Sequence, residues 1–209
     1  TATLSLASGT HYVVTMRAFC DGDSSALSSA VSFNTECEPY TVTSQAPWTE
    51  NFESYSGLQQ TLPLLCWETP APTTFDDITY PVVMTQTPQA AHSGSNTVEM
   101  KASVGTFNMA VLPEFTNDIH DLRLSFWATS SNPSSVNGYM EVGVLSGNNF
   151  EVLDTVGTPG ARNSQLVSGN GNYVGTFDFR NVTATSGRIA LRLQGDGYNT
   201  ANSLSWNID

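Results

Sequence analysis

Carboxylates dominate the reactive side chains of this sequence, with 19 Asp and Glu against 7 Lys and Arg for a formal charge of −12. Hydrolysis of a glycosidic bond needs two carboxyl groups flanking it, which closely spaced acids on one strand deliver. No strand-like segment here has an ExDxE spacing, and Asp76 and Asp77, being adjacent, would point to opposite faces if extended. They read as loop or cation-site residues. His11, His92 and His120 lie scattered in turn-like contexts, and HExxH, GxSxG and P-loop patterns are absent. Cys20, Cys37 and Cys66 lack the CxxC or Cys/His spacing of zinc and redox sites. No catalytic constellation is expected, so the chain reads as a non-enzyme. An acidic chain with many oxygen-rich loops does suit a hard cation. Asp21-Gly22-Asp23-Ser24 opens like a calcium loop, but it lacks the EF-hand spacing and reads as a hairpin turn.

Sugar binding asks for a different set, an exposed aromatic plane beside amides and carboxylates that satisfy ring hydroxyls. In Leu122 to Trp127 the residues Leu122, Leu124 and Phe126 point one way, and Arg123, Ser125 and Trp127 the other. Trp127 is therefore the candidate platform, with Arg123, Tyr139 and Glu141 as candidate neighbours on an outward face. The alternative is that a loop covers that face and Trp127 is packing.

Short alternating runs bounded by Gly, Asn, Asp, Ser and Pro must position these residues, and no window keeps a helical period for long. The fold class is all-β, an antiparallel sandwich or jelly roll. Predicted strands are 12–19, 30–35, 49–54, 78–84, 97–102, 107–112, 122–128, 139–145, 150–156, 173–179, 188–193 and 203–208. Ile189, Leu191 and Leu193 repeat the inward stripe. Val98 and Met100 alternate with Glu99 and Lys101, which predicts isolated charges on a solvated outer face.

Composition sets the surroundings. The 24 Ser, 25 Thr and 16 Asn are close to a third of the 209 residues, while only 12% are charged. Lys101 is the sole lysine, so phosphate neutralisation fails and neither nucleic acid nor an anionic membrane is an expected partner. No run approaches the length of a membrane span, so membrane insertion by this segment is not expected. An extracellular, bacterial cell-surface setting and a monomeric state are expected, for what reads as part of a longer chain. The composition shift at Glu36 to Ala46 divides residues 1–36 from 47–209, with 37–46 as linker.

Leu6-Ala7-Ser8-Gly9-Thr10-His11-Tyr12-Val13-Val14, followed by Val31-Ser32-Phe33, resembles the last two strands of a fibronectin type III domain. The resemblance implies that the Tyr12 hydroxyl bonds nearby backbone. From Pro47 the chain resembles the choice-of-anchor J or cleaved-adhesin jelly rolls of Bacteroidetes surface proteins, relatives of the MAM domain. The motifs are Pro47-Trp48-Thr49-Glu50-Asn51-Phe52-Glu53, Cys66-Trp67, His92-Ser93-Gly94, Leu122 to Trp127, Met140 to Val144 and Trp206-Asn207-Ile208-Asp209. The last of these looks like the family's closing strand, cut off at its first Asp. The resemblance implies a non-catalytic adhesion or carbohydrate-binding module, with a glycan or host glycoprotein as partner. Alternatives are a structural spacer without a ligand, or an accessory domain of a secreted protease or glycosidase. It also implies calcium between Glu53 and Asp209, with Glu50 a neighbour, against the alternative that these are ordinary strand residues. Trp48, Trp67 and Trp206 fall at motif positions that imply core. Cys37, after the fibronectin-like strand, and Cys66, in the Cys-Trp motif, imply a disulfide, with Cys20 left free.

Overall fold

The structure, a computed structural model, describes residues 4–55, 60–61, 66–85, 91–130, 138–159, 172–195 and 204–209. It divides into two compact units, Thr1–Pro39 and Tyr40–Asp209.

The first unit holds β1 (His11–Val14), β2 (Phe19–Cys20), β3 (Asp23–Ser24) and β4 (Val31–Asn34). β2 and β3 pair about Asp21-Gly22, both at positive φ, as the hairpin reading of that turn requires. β1 and β4 pair antiparallel with Tyr12 opposite Phe33 and Val14 opposite Val31, and the two rings stack at 5.9 Å. The Tyr12 hydroxyl accepts the Ala7 N–H at 2.8 Å. Two strands bury little, and Val31 and Phe33 stay 63% and 40% exposed.

The second unit contains β5 (Gln60–Thr61), β6 (Thr73–Phe75), β7 (Ile78–Tyr80), β8 (Val82–Thr85), β9 (Asn96–Ala102) and β10 (Phe107–Val111). β11 (Arg123–Ser130), β12 (Gly138–Ser146), β13 (Asn149–Val156), β14 (Asn172–Asp178), β15 (Arg188–Gly195) and β16 (Leu204–Ile208) follow. A four-stranded sheet runs β10-β15-β12-β13 and a six-stranded sheet runs β14-β11-β16-β9-β8-β5. Every strand pairing between named strands is antiparallel. From β13 onward each successive strand belongs to the other sheet of a two-layer sandwich. Alternation places Met140, Val142, Val144, Ile189, Leu191 and Leu193 from one sheet against Val98, Met100, Phe126, Leu204, Trp206 and Ile208 from the other.

Four local expectations are corrected. Residues 49–54 form turns instead of a strand, because Glu50 and Asn51 side chains accept the N–H groups of Phe52 at 2.7 Å and Glu53 at 3.2 Å, in place of ladder bonds. The run 78–84 splits into β7 and β8 at the cis Tyr80–Pro81 bond. From Tyr40, the segment read as linker packs on the second unit: Tyr40 exchanges backbone bonds with Glu114 and Thr116, and the Asn117 side chain bonds both backbone groups of Val42. The outward face of β9 and β16 also differs from a solvated face, since Thr97, Ser205 and Asn207 are buried.

Leu193 is fully buried between the sheets. Truncation Leu193→Ala is expected to cost about 2–5 kcal/mol of unfolding free energy in urea titration. A loss below about 1 kcal/mol would place the inner face of β15 outside the core.

Candidate functional site

A cleft of about 660 Å³ opens where the 42–52 segment runs past one end of the sandwich. Trp127, Arg123, Glu50 and Asp209, each singled out in the sequence, line it together. They arrive from three places. Arg123 and Trp127 sit on β11, Asp209 follows β16, and Glu50 belongs to the turn before Phe52. Backbone pairing brings two of them side by side, because Trp127 and Asp209 exchange both N–H···O bonds at 2.8 and 3.1 Å.

Trp127 is half-buried and does not present a bare plane. The exposed His92 ring stacks on it at 4.0 Å with an interplanar angle of 13°, and Tyr173 leans against it at 5.3 Å. Tyr173 is 55% exposed. His92 and Trp127 both line the cleft, and Tyr173 flanks Trp127. Arg123 donates from Nε to Asp178 at 3.0 Å, and Arg180 reaches the same carboxylate oxygen. The Arg123 bond, followed by the Arg180 N–H, holds the Asp178 carboxyl below its ordinary range.

Tyr139 and Glu141 do not join this group. They lie on β12 in the opposite sheet. Alternation assigns a residue to a face of its own sheet and cannot say which sheet that strand joins. Glu141 is 8% exposed and accepts from Arg192 Nε at 2.6 Å and Gln194 at 2.7 Å. The Arg192 guanidinium in turn lies 4.4 Å from the centre of the Phe150 ring and 5.5 Å from that of Phe107.

Glu53 and Asp209, the residues at which the resemblance implied calcium, converge on one turn, and both hold its backbone. Glu53 Oε1 accepts the N–H groups of Ser95 at 2.7 Å and Asn96 at 2.6 Å, while Asp209 Oδ2 accepts that of Ser93 at 2.6 Å. Two carboxylates suit calcium's preference for oxygen, but among the described residues no group of three His, Cys, Asp or Glu gathers. An ion there would draw its remaining ligands from backbone carbonyls and water. Glu50 is spent differently, on the Phe52 N–H. Burial raises the Glu50 carboxyl above the usual range, opposed by the N–H groups of Phe52 and Asn51.

Behind the rim stands an aromatic cluster in which Trp48 packs against Trp67 at 6.1 Å and Phe115 at 5.7 Å, and Phe52 packs against Trp67 at 5.8 Å. Trp67 and Trp206 are buried in the core. The other two histidines are engaged locally. His11 bonds the Asn34 side chain, and His120 bonds the Asp118 carboxylate and the Val182 carbonyl. Cys37 and Cys66 are disulfide-bonded, and Cys20 is exposed and free.

The sequence offered no signal for His92 stacking on Trp127, since the contact spans distant positions. Only the His92-Ser93-Gly94 turn marked it.

No family model matches the chain, and no curated protein matches it. Among solved structures, the K2 cleaved adhesin domain of Lys-gingipain is similar at a TM-score of 0.47 and 17% identity, over 78% of this chain and 94% of that one. Among the described residues no helix is long and apolar enough to cross a membrane.

Gly94 sits at φ +63°, where a Cβ would lie 2.4 Å from the Glu53 carboxyl. Gly94→Ala is expected to lower stability by about 1–3 kcal/mol. In a Glu53→Ala background the cost should shrink, because the collision is removed and only the backbone strain persists. Strict additivity in that double-mutant cycle would mean that Glu53 does not grip the turn.

Proposed function

We propose that this chain is a non-catalytic, adhesion-type surface module that binds a glycan or host glycoprotein in the cleft beside Trp127. The observation that supports it is the shared lining: the Trp127 indole, the Arg123 guanidinium and the carboxylates of Glu50, Asp121 and Asp209 meet in a concavity of about 660 Å³. Such clefts, mostly apolar with a few placed polar groups, suit a sugar ring. The carboxylates of Glu50 and Asp209 accept backbone N–H groups, a positioning role rather than that of a paired acid and base. His92 and Trp127 supply stacked rings to the lining. Single-site affinity would be weak, and repetition of the module on a surface would raise it by avidity.

Wild type and Trp127→Ala are to be compared on a glycan array and on immobilised mucin. Binding lost in the variant at an unchanged melting temperature supports the reading. Silence from both proteins would leave a structural spacer, and a collapse in melting temperature would mark Trp127 as packing.

Calcium at Glu53 and Asp209 belongs to the same proposal. A ligand that binds only the folded chain stabilises it by mass action, so chelation should lower the melting temperature and added calcium restore it. An unchanged curve would mean that the amide bonds alone hold the turn.

A further inference from the structure

The indole in the cleft wall is already stacked. His92 and Trp127 both line the cleft, and the imidazole lies on the indole with 4.0 Å between ring centroids and 13° between planes. Near-parallel rings at that spacing leave no layer between them, so a sugar ring cannot share the covered part of the indole face. Tyr173 is a different kind of neighbour. It is inclined at 57° to the indole at 5.3 Å, and its hydroxyl is tied to that of Thr176 at 2.7 Å.

His92 has no such tether. The residue is exposed, its ring makes no hydrogen bond among the described residues, and the stack on Trp127 is the contact that holds it. The backbone on both sides of it is fixed. Ala91 is buried, the Ser93 N–H is bonded to Asp209 at 2.6 Å, and Glu53 holds the N–H groups of Ser95 and Asn96. Rotation of the His92 side chain from one staggered well to another therefore lifts the imidazole into water while the turn stays in place. What it leaves behind is an uncovered indole face in the cleft wall.

We propose that His92 is a built-in occupant of the Trp127 stacking position, a side-chain cover that a glycan has to displace. This rests on the reading of the cleft as a glycan site and deepens it, because it names the residue that sets the threshold for entry. A ligand gains the indole only if its own stacking and hydrogen bonds outweigh the imidazole–indole contact. Trp127 then has two alternating partners, the imidazole in the free protein and the sugar ring in the complex.

The test is by NMR on the intact chain. Methyl galactoside, methyl mannoside and N-acetylglucosamine are titrated in turn into wild type, His92→Ala and the His92→Ala/Trp127→Ala double variant. At least one sugar is expected to bind His92→Ala roughly 2- to 10-fold more tightly than wild type, the range that one aromatic stack is worth. The double variant should lose that gain. In wild type the His92 ring protons, shifted by the indole beneath them, should move towards free-imidazole positions as the same sugar saturates the site. Equal or weaker binding by His92→Ala, or His92 protons that keep their shift at saturation, overturns the inference while the glycan reading stands, since the sugar then rests on the imidazole or elsewhere in the cleft. No binding of any of the three sugars to wild type or to His92→Ala overturns both. If His92→Ala fails to fold, the ring-proton shifts of wild type still decide the matter.

Discussion

The six-stranded sheet depends on one insertion, the placing of β16 between β9 and β11. Five residues, Leu204–Ile208, pair on one side with Ala102 back to Val98 and on the other with Ser130 back to Ala128. Without that strand the β14-β11 pair would separate from β9-β8-β5, and the four-stranded sheet would lose half of its facing layer. All five residues are buried, and the Trp206 side chain has no measurable exposure. The same insertion sets Asp209 against Trp127 through paired backbone bonds and carries the Asp209 carboxylate to Ser93. One wall of the cleft is thus a by-product of closing the sheet.

Much of this frame was legible because the signal was simple. β9, β11, β12, β13, β15 and β16 lie within a few residues of their predicted ranges, and in β9, β15 and β16 an apolar stripe of period two faces a core. The first strand of the β6–β7 hairpin was not legible. Thr69-Pro70-Ala71-Pro72 precedes Thr73–Phe75 and reads as loop, yet Asn108 reaches across to the Ala71 and Tyr80 carbonyls and holds that hairpin against β10. Residues 49–54 erred in the opposite sense. Their alternation resembles a strand, but Glu50 and Asn51 accept N–H groups two residues on and win locally against any sheet partner.

The site divides along the same line. Trp127 and Arg123 were legible as outward residues because alternation along β11 decides that directly. Tyr139 and Glu141 were misplaced beside them because period two is silent about which sheet a strand joins. One contact in the cleft carries no sequence signature at all. His92 lies thirty-odd residues from the ring it covers.

Polar bookkeeping separates the cleft from the outer face of the four-stranded sheet, the other place where aromatic and charged residues meet. There Glu141 is bonded to Arg192 and Gln194, and Arg192 lies near the faces of Phe150 and Phe107. A ligand docking on that layer would have to break charge-assisted bonds in a nearly buried pair, and removing either partner strands the other at a cost of about 3–5 kcal/mol. The face is complete as it stands. In the cleft the balance is reversed. Glu50 sits where burial disfavours its charge. A ligand group that donates to Glu50 would ease that penalty, whereas on the Glu141 layer it could only compete with bonds already made.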